Sequence, residues 1–270
     1  MASNDASRDD KKSWNTHKLG LRIGADALAA SAAGVLVAPL ITMIDKGIIE
    51  NASGRNTLGE SLRASARELL LKPHRFLTGK PFALIYILYF GTYFTANTID
   101  TASSTMHNTP LSSTTAGTPK FLATSTSNLA LCLYKDNRFT QLFGPASSSS
   151  ARPVPLPTFL FFTVRDCLTI FASFNLPPLF APTFARHMGA AAQQYVSAAS
   201  AAQFLTPAAV QIVSTPLHLL GLDLYNRPGV RVLRDWAKSA GARMGRIIPA
   251  FGVGGVVNTK VRRGLLGRLE

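Results

Sequence analysis

Arg165 and Asp166 stand side by side near the centre of an apolar stretch, residues 156–176. A charge at mid-bilayer costs at least ~2.5 to 3.5 kcal/mol on insertion scales. Such residues therefore face a bundle interior or an aqueous cavity, and by default they mark a solute path. Neighbours on a helix point about 100° apart, so the two are not obliged to pair with each other. Asp26 and Asn97 lie at comparable depth in other apolar stretches and are the partners expected for them. The plain alternative is a structural ion pair that locks helices together without touching a solute. A second set of charges closes the odd-numbered apolar stretches: Asp45 with Lys46, Lys135 with Asp136, Asp223 with Arg227. They could form an inter-helix gate at one membrane face. The plainer reading sends Lys and Arg to the headgroups and leaves the acids hydrated.

The elements that must position these residues are helices. Residues 23–44 and 81–99 are apolar over about the ~20 residues that cross a ~30 Å hydrocarbon core. Residues 156–176 are as long, and residues 190–222 carry no charge but contain Pro207 and Pro216. Two weaker stretches, the Ser/Thr-rich 121–134 and the Gly-rich 247–259, bring the expectation to six membrane helices. Pro39 and Pro216 are expected to kink the first and fifth of them. Residues 57–71 read as an amphipathic surface helix with Leu58, Leu62, Ala66 and Leu69 on one face, and residues 230–244 repeat that character. Residues 101–118 and 144–157 are Ser/Thr/Pro-rich linkers inside one unit.

Composition agrees with a membrane protein. Among 270 residues, 28 Lys and Arg face 14 Asp and Glu, a net charge of +14, yet charged residues make up only 16%. An ordinary soluble domain carries about 25%. The mean hydropathy is +0.16. The apolar content excludes a disordered chain. Two cysteines, Cys132 and Cys167, give no disulfide framework. The first eighteen residues lack an apolar core and contain Asp5, Asp9 and Asp10, so neither a secretory signal nor a cleaved mitochondrial presequence is expected. The excess base sits beside apolar stretches, where it meets anionic lipid at ~1 kcal/mol per residue, rather than nucleic acid.

The charges also alternate between loops. Residues 50–80 are net +3, 135–152 net +2 and 227–246 net +5, while the intervening loops are nearly neutral. With six spans the three basic loops share one side, as the positive-inside bias requires; the +3 tail at residues 260–270 runs against it. The chain divides into a polar tail (1–19), a membrane domain (20–262, repeats near 20–104, 118–178 and 190–262) and a basic tail (263–270).

Three helix pairs, each odd helix closing on a charged pair and two of them on Pro39 or Pro216, resemble the mitochondrial carrier family in layout. The acids stand later than in that family's motif, the third odd helix has no proline at its end, and the even helices lack the family's aromatic-acid ending. Residues 20–46 and 152–178 also resemble a fungal family of mitochondrial membrane proteins. These resemblances imply a carrier-like all-α bundle with threefold pseudo-repeat, a mitochondrial, inner-membrane location, cardiolipin as a lipid partner, and transport of a small, perhaps anionic, solute. The competing function is a carrier-derived protein that no longer transports and serves in membrane organisation or assembly. A continuous polar cavity lined by Arg165, Asp166, Asp26 and Asn97 would favour transport; an apolar core would favour the structural role.

The remaining signals are bland. The five histidines have no Cys or carboxylate at ligand spacing, so no metal or cofactor is expected, and no nucleophile arrangement suggests an enzyme. Gly252, Gly254, Gly255, Gly91 and the small residues 25–34 suit close helix packing. The aromatic stripe Tyr86, Tyr89, Phe90, Tyr93, Phe94 reads as a packing or lipid face.

Overall fold

Small side chains recur every four residues at the start of the first long helix, and that spacing decides how the bundle closes. The computed structural model describes residues 14–52, 55–143, 156–226 and 245–269, and the regular structure within them is helical. In α1 (Leu19–Ala52), Ala25, Ala29, Ala33, Val37 and Ile41 are all buried. This stripe lies against α4 (Lys80–His107), and the thin side chains let the two backbones approach closely. The opposite face of α1 leaves Leu21, Leu28, Val35 and Leu36 more than half exposed. Polar residues are meanwhile buried: Arg22, Asp26, Thr92, Asn97 and Asp100 are at most 2% exposed. A polar interior inside an apolar exterior is what lipid, rather than water, stabilises.

Local signals fix the helix ends. Pro81 stands in the first turn of α4, where its missing N–H costs nothing, and Asn108 ends the helix in a left-handed conformation at φ 52°. Between α1 and α4 lie α2 (Leu58–Leu71) and α3 (Pro73–Leu77). Thr57 caps α2: its hydroxyl accepts from the Glu60 N–H, and the Glu60 carboxylate accepts from the Thr57 N–H at 2.9 Å. The Thr57 hydroxyl and N–H together hold the Glu60 carboxyl below the usual glutamate value. The expected apolar face of α2 is only part of what it presents to α1. Ser61 and Ser65 are the buried positions, and Ser61 donates to Glu50 at 2.5 Å, while Leu62, Ala66 and Leu69 are half-buried.

The rest of the chain completes a ring. α5 (Thr118–Phe143) packs on α4, α6 (Leu156–Phe174) on α5, and both α6 and α7 (Leu176–His187) on α9 (Ala198–Asn226). A short α8 (Ala190–Tyr195) precedes α9. After α9 come a π-helical segment (Ile248–Val253) and α10 (Gly254–Leu266), which returns to α1. Six elements thus close in chain order.

Several expectations are corrected. Two helices, Leu19–Gly47 and Lys80–His107, are long and apolar enough to cross a membrane among the described residues. A third candidate is Thr163–Phe174 with Leu176–His187, bent by 48° between them. Six full spans are not seen among the described residues; α5, for one, buries Lys120, Thr124, Asn128 and Lys135. A carrier-like threefold repeat is not shown among the described residues. The stretch 190–222 is broken: Ser197 caps a new helix by accepting from the Ser200 N–H at 3.2 Å. The expected kink prolines lie inside continuous helices, Pro39 in α1 and Pro216, with Pro207, in α9. The second amphipathic helix (230–244), Arg227, most of the 144–157 linker and the outermost N-terminal tail lie outside the described residues.

Two helix breaks are stitched by one side chain. Pro177 has no N–H for the Ser173 carbonyl, and the π segment interrupts the ordinary ladder near Phe251. The Gln203 amide, on α9, donates to both carbonyls at 3.0 Å. Tyr93 donates to the Ala250 carbonyl at 2.8 Å. The glycines explain why the segment fits here. A Cβ on Gly254 would stand 2.7 Å from the Tyr93 hydroxyl, and one on Gly252 would stand 2.8 Å from Phe204.

Candidate functional site

Three elements each carry one charged group to each end of the bundle. α1 supplies Asp26 and Asp45, α5 supplies Lys120 and Lys135, and the C-terminal segment supplies Arg262 and Arg246. About 28 Å of helix separates Asp26 from Asp45 at ~1.5 Å per residue, so these are distinct sites.

At the first end Asp26 is fully buried. It accepts from Arg262 Nε at 2.6 Å and from the Thr101 hydroxyl at 2.5 Å. Arg262 also donates to Thr101 Oγ1 at 2.9 Å and to the Ser113 carbonyl at 3.2 Å. Arg22, equally buried, donates to the carbonyls of Asn15 and Thr101 and to Ser104. Beside this cluster, Lys120 holds both oxygens of Asp100 at 3.0 and 2.9 Å, and Thr115 adds two more bonds to Oδ1. Asn97 and Asn258 exchange reciprocal amide bonds of 2.8 Å.

These groups line a cavity of about 330 Å³. Its walls include Asn97, Asp100, Lys120, Gln203, Asn258 and Arg262; Tyr93 and Phe174 also contribute. Its rim carries exposed Ser197, Lys260 and Arg263. Asp26 is not on the wall; it stands behind Arg262 and orients it.

At the second end one carboxylate serves two cations. Asp45 accepts from Lys135 at 2.9 Å and from Arg246 at 3.0 Å. A smaller cavity of about 150 Å³ adjoins them, lined also by Arg165 and Asp166. Between the two cavities lies an aromatic cluster. Tyr93, Phe174 and Phe251 meet at 5.5 to 6.2 Å between ring centres, and Tyr89 packs on Phe251 at 5.6 Å.

The sequence-predicted residues are therefore split. Arg165 and Asp166 pair with each other at 2.6 Å and sit at the Asp45 end. Asp26 and Asn97, expected as their partners, belong to the other end and have partners of their own there. Of the expected gate, Asp45 and Lys135 do meet across helices. Lys46 instead lies over the Phe143 ring at 5.6 Å. The side chains of Asp136 and Asp223, like Arg227, lie outside the described residues. The aromatic stripe divides too: Tyr89 and Tyr93 are buried in the core, while Tyr86, Phe90 and Phe94 form a half-buried stack along the helix.

Sequence reasoning missed Lys120, Asn258, Gln203, Arg246 and Arg262 as site residues. Arg262 was counted with a basic tail, and Asp100 with a loop. A usable signal was present. Lys120 opens a stretch whose other base, Lys135, lies four turns on, so one helix carries a cation at each end. Among the described residues, no three His, Cys, Asp or Glu side chains gather as a metal site.

A family model for the "probable citrulline exporter" family matches residues 29–266. The chain belongs to that family. Membership supports a membrane transporter of a small solute. The match takes in both cavities and every charged group named above except Arg22 and Asp26, which stand just before it. No curated protein and no solved structure matches the chain.

Proposed function

We propose that this protein carries a neutral, zwitterionic amino acid of the citrulline class, taken up in the larger cavity. The observation that carries the reading is the Asp100–Lys120 pair on the cavity wall. A carboxylate and an ammonium side by side match the ammonium and carboxylate of an amino-acid head group. Exchange of one ion pair for two others keeps the site neutral, so the buried charges stay compensated as the solute enters and leaves.

Transport follows from two features. The cavity has exposed residues at its rim, and the aromatic cluster with the Asp45 clamp closes the far side. Opening would require Lys135 or Arg246 to leave Asp45 and the Tyr93–Phe174–Phe251 contacts to part. The π segment supports this, since such segments and other helix breaks recur where helices move.

The same reading puts the protein in the mitochondrial inner membrane, on the resemblance of residues 20–46 and 152–178. The exposed bases Arg63, Arg67 and Lys72 on or beside α2 would then lie at the matrix headgroups, with cardiolipin as their lipid. The second reading, a non-transporting membrane organiser, draws on the same closed aromatic cluster. Purified protein in liposomes loaded with unlabelled citrulline separates the two. Accumulation of labelled external citrulline by counterflow supports transport, and its absence beside a folded, inserted protein supports the structural role.

A further inference from the structure

Asn97 and Asn258 meet deep in the larger cavity, with 2% and 6% of their surfaces exposed. An amide offers two N–H donors and an oxygen with two lone pairs. Asn97 spends both donors, one on the Asp26 carbonyl at 3.1 Å and one on Asn258 Oδ1. The backbone carbonyl of Asp26 thereby fixes which edge of Asn97 is nitrogen, and the reciprocal bond fixes Asn258 in turn. Asn258 gives one donor to Asn97 Oδ1 and receives one bond in return. Among the described residues its second N–H and second lone pair have no protein partner, and Asn258 lines the cavity.

We propose that Asn258, held in orientation by Asn97, reads the ureido end of the solute, and that the cations around it exclude side chains ending in a positive charge. The proposal rests on the citrulline-class reading above. A ureido group has a carbonyl to accept from the remaining Asn258 N–H and an N–H to donate to the remaining lone pair. A guanidinium or ammonium group of similar reach has donors only. It would leave the Asn258 N–H unsatisfied in a buried place. It would also meet Lys120 and Arg262 on the wall and Lys260 and Arg263 at the rim, with Asp100 the one carboxylate among the described lining residues. Asn258 is a specificity-determining residue and Asn97 a positioning residue. Sites built to hydrogen-bond a buried group reject analogues that cannot reciprocate by factors well above the 10–200-fold of a missing methylene. A preference for citrulline over arginine of more than about 200-fold is expected.

The test uses the full chain in liposomes, with counterflow of labelled citrulline against unlabelled citrulline, arginine, ornithine and glutamine. Citrulline and glutamine, which both end in a carbonyl–amine edge, should compete. Arginine and ornithine at 100-fold excess should not. Asn258→Asp should lose citrulline counterflow by at least tenfold and gain inhibition by arginine. Wild-type counterflow that arginine inhibits as well as citrulline overturns this inference alone, whether or not the variant folds. A folded Asn258→Asp with unchanged preference overturns it too. A folded wild type with no citrulline counterflow overturns the citrulline-class reading, and this inference with it.

Discussion

The two ends of the bundle use the same three elements but spend their charges differently. At the Asp26 end, Asp26 and Asp100 each have a buried cation, and Arg262 and Lys120 turn towards a cavity of about 330 Å³. At the Asp45 end, one carboxylate is shared by Lys135 and by the half-buried Arg246. In the first arrangement neither pair can separate in the empty site without stranding a charge: Asp26 and Arg262 stay fixed, and Asp100 and Lys120 part only for the two charges of a solute. The second can lose one partner and keep the other, which is what a closure that opens requires.

Variants can break that comparison, and the largest effect is expected at the fixed wall. Arg262→Met leaves Asp26 unpaired in the interior, which typically costs about 3–5 kcal/mol. The melting temperature in detergent should fall sharply, and the double variant Asp26→Leu with Arg262→Met should recover most of it. Recovery failing altogether would mean that Arg262 acts through something other than Asp26. Next comes the joint between the ends. Gly254→Ala pushes a methyl to 2.7 Å from the Tyr93 hydroxyl and 3.0 Å from Val37. An overpacked core loses about 1–3 kcal/mol, and labelled-citrulline flux should drop with the melting point.

The shared clamp should respond in rate more than in stability. In Lys135→Met, Asp45 keeps Arg246, so the loss should stay near the ~1.5–3 kcal/mol of one charged hydrogen bond. Leak of preloaded solute from liposomes should rise; an unchanged leak would argue that the Asp45 end does not gate. Arg165→Gln should be milder still. Its side chain and that of Asp166 are 17% and 24% exposed and pair at 2.6 Å, and Gln keeps a donor for Asp166, so melting should shift less than in Lys135→Met. The smallest effect lies at α2. Glu60 has its carboxyl depressed by Thr57, so this cap contributes stability above the unfolded glutamate value and loses it as pH falls through the lower folded one. Amide exchange in α2 should quicken in acid, and Thr57→Ala should remove that pH dependence.

Much of this was legible in the sequence. The helical class, the long apolar helices α1 and α4, the capped surface helix α2 and the close-packing glycines all follow from local patterning. Composition separated the chain from soluble proteins, because too little charge on too many apolar residues leaves no surface for water. The sequence also marked Asp45 and Lys135 as ends of helices, and Asn97 and Asp26 as buried polar groups.

Pairing was beyond it. Asp26 finds Arg262 from the far end of the chain, and Asn97 finds Asn258, because α10 closes the ring on α1. The expected partnership of Arg165 and Asp166 with Asp26 and Asn97 is not formed, for a physical reason. A charge inside an apolar stretch must be compensated, but spacing along one helix cannot say by which neighbour, and here Arg165 pairs with the adjacent Asp166. Lys120, Gln203 and Arg262 look like ordinary polar residues in one dimension. Only the packing of the six-membered ring excludes water around them, and that desolvation turns scattered charges and amides into a cavity with a chemistry of its own.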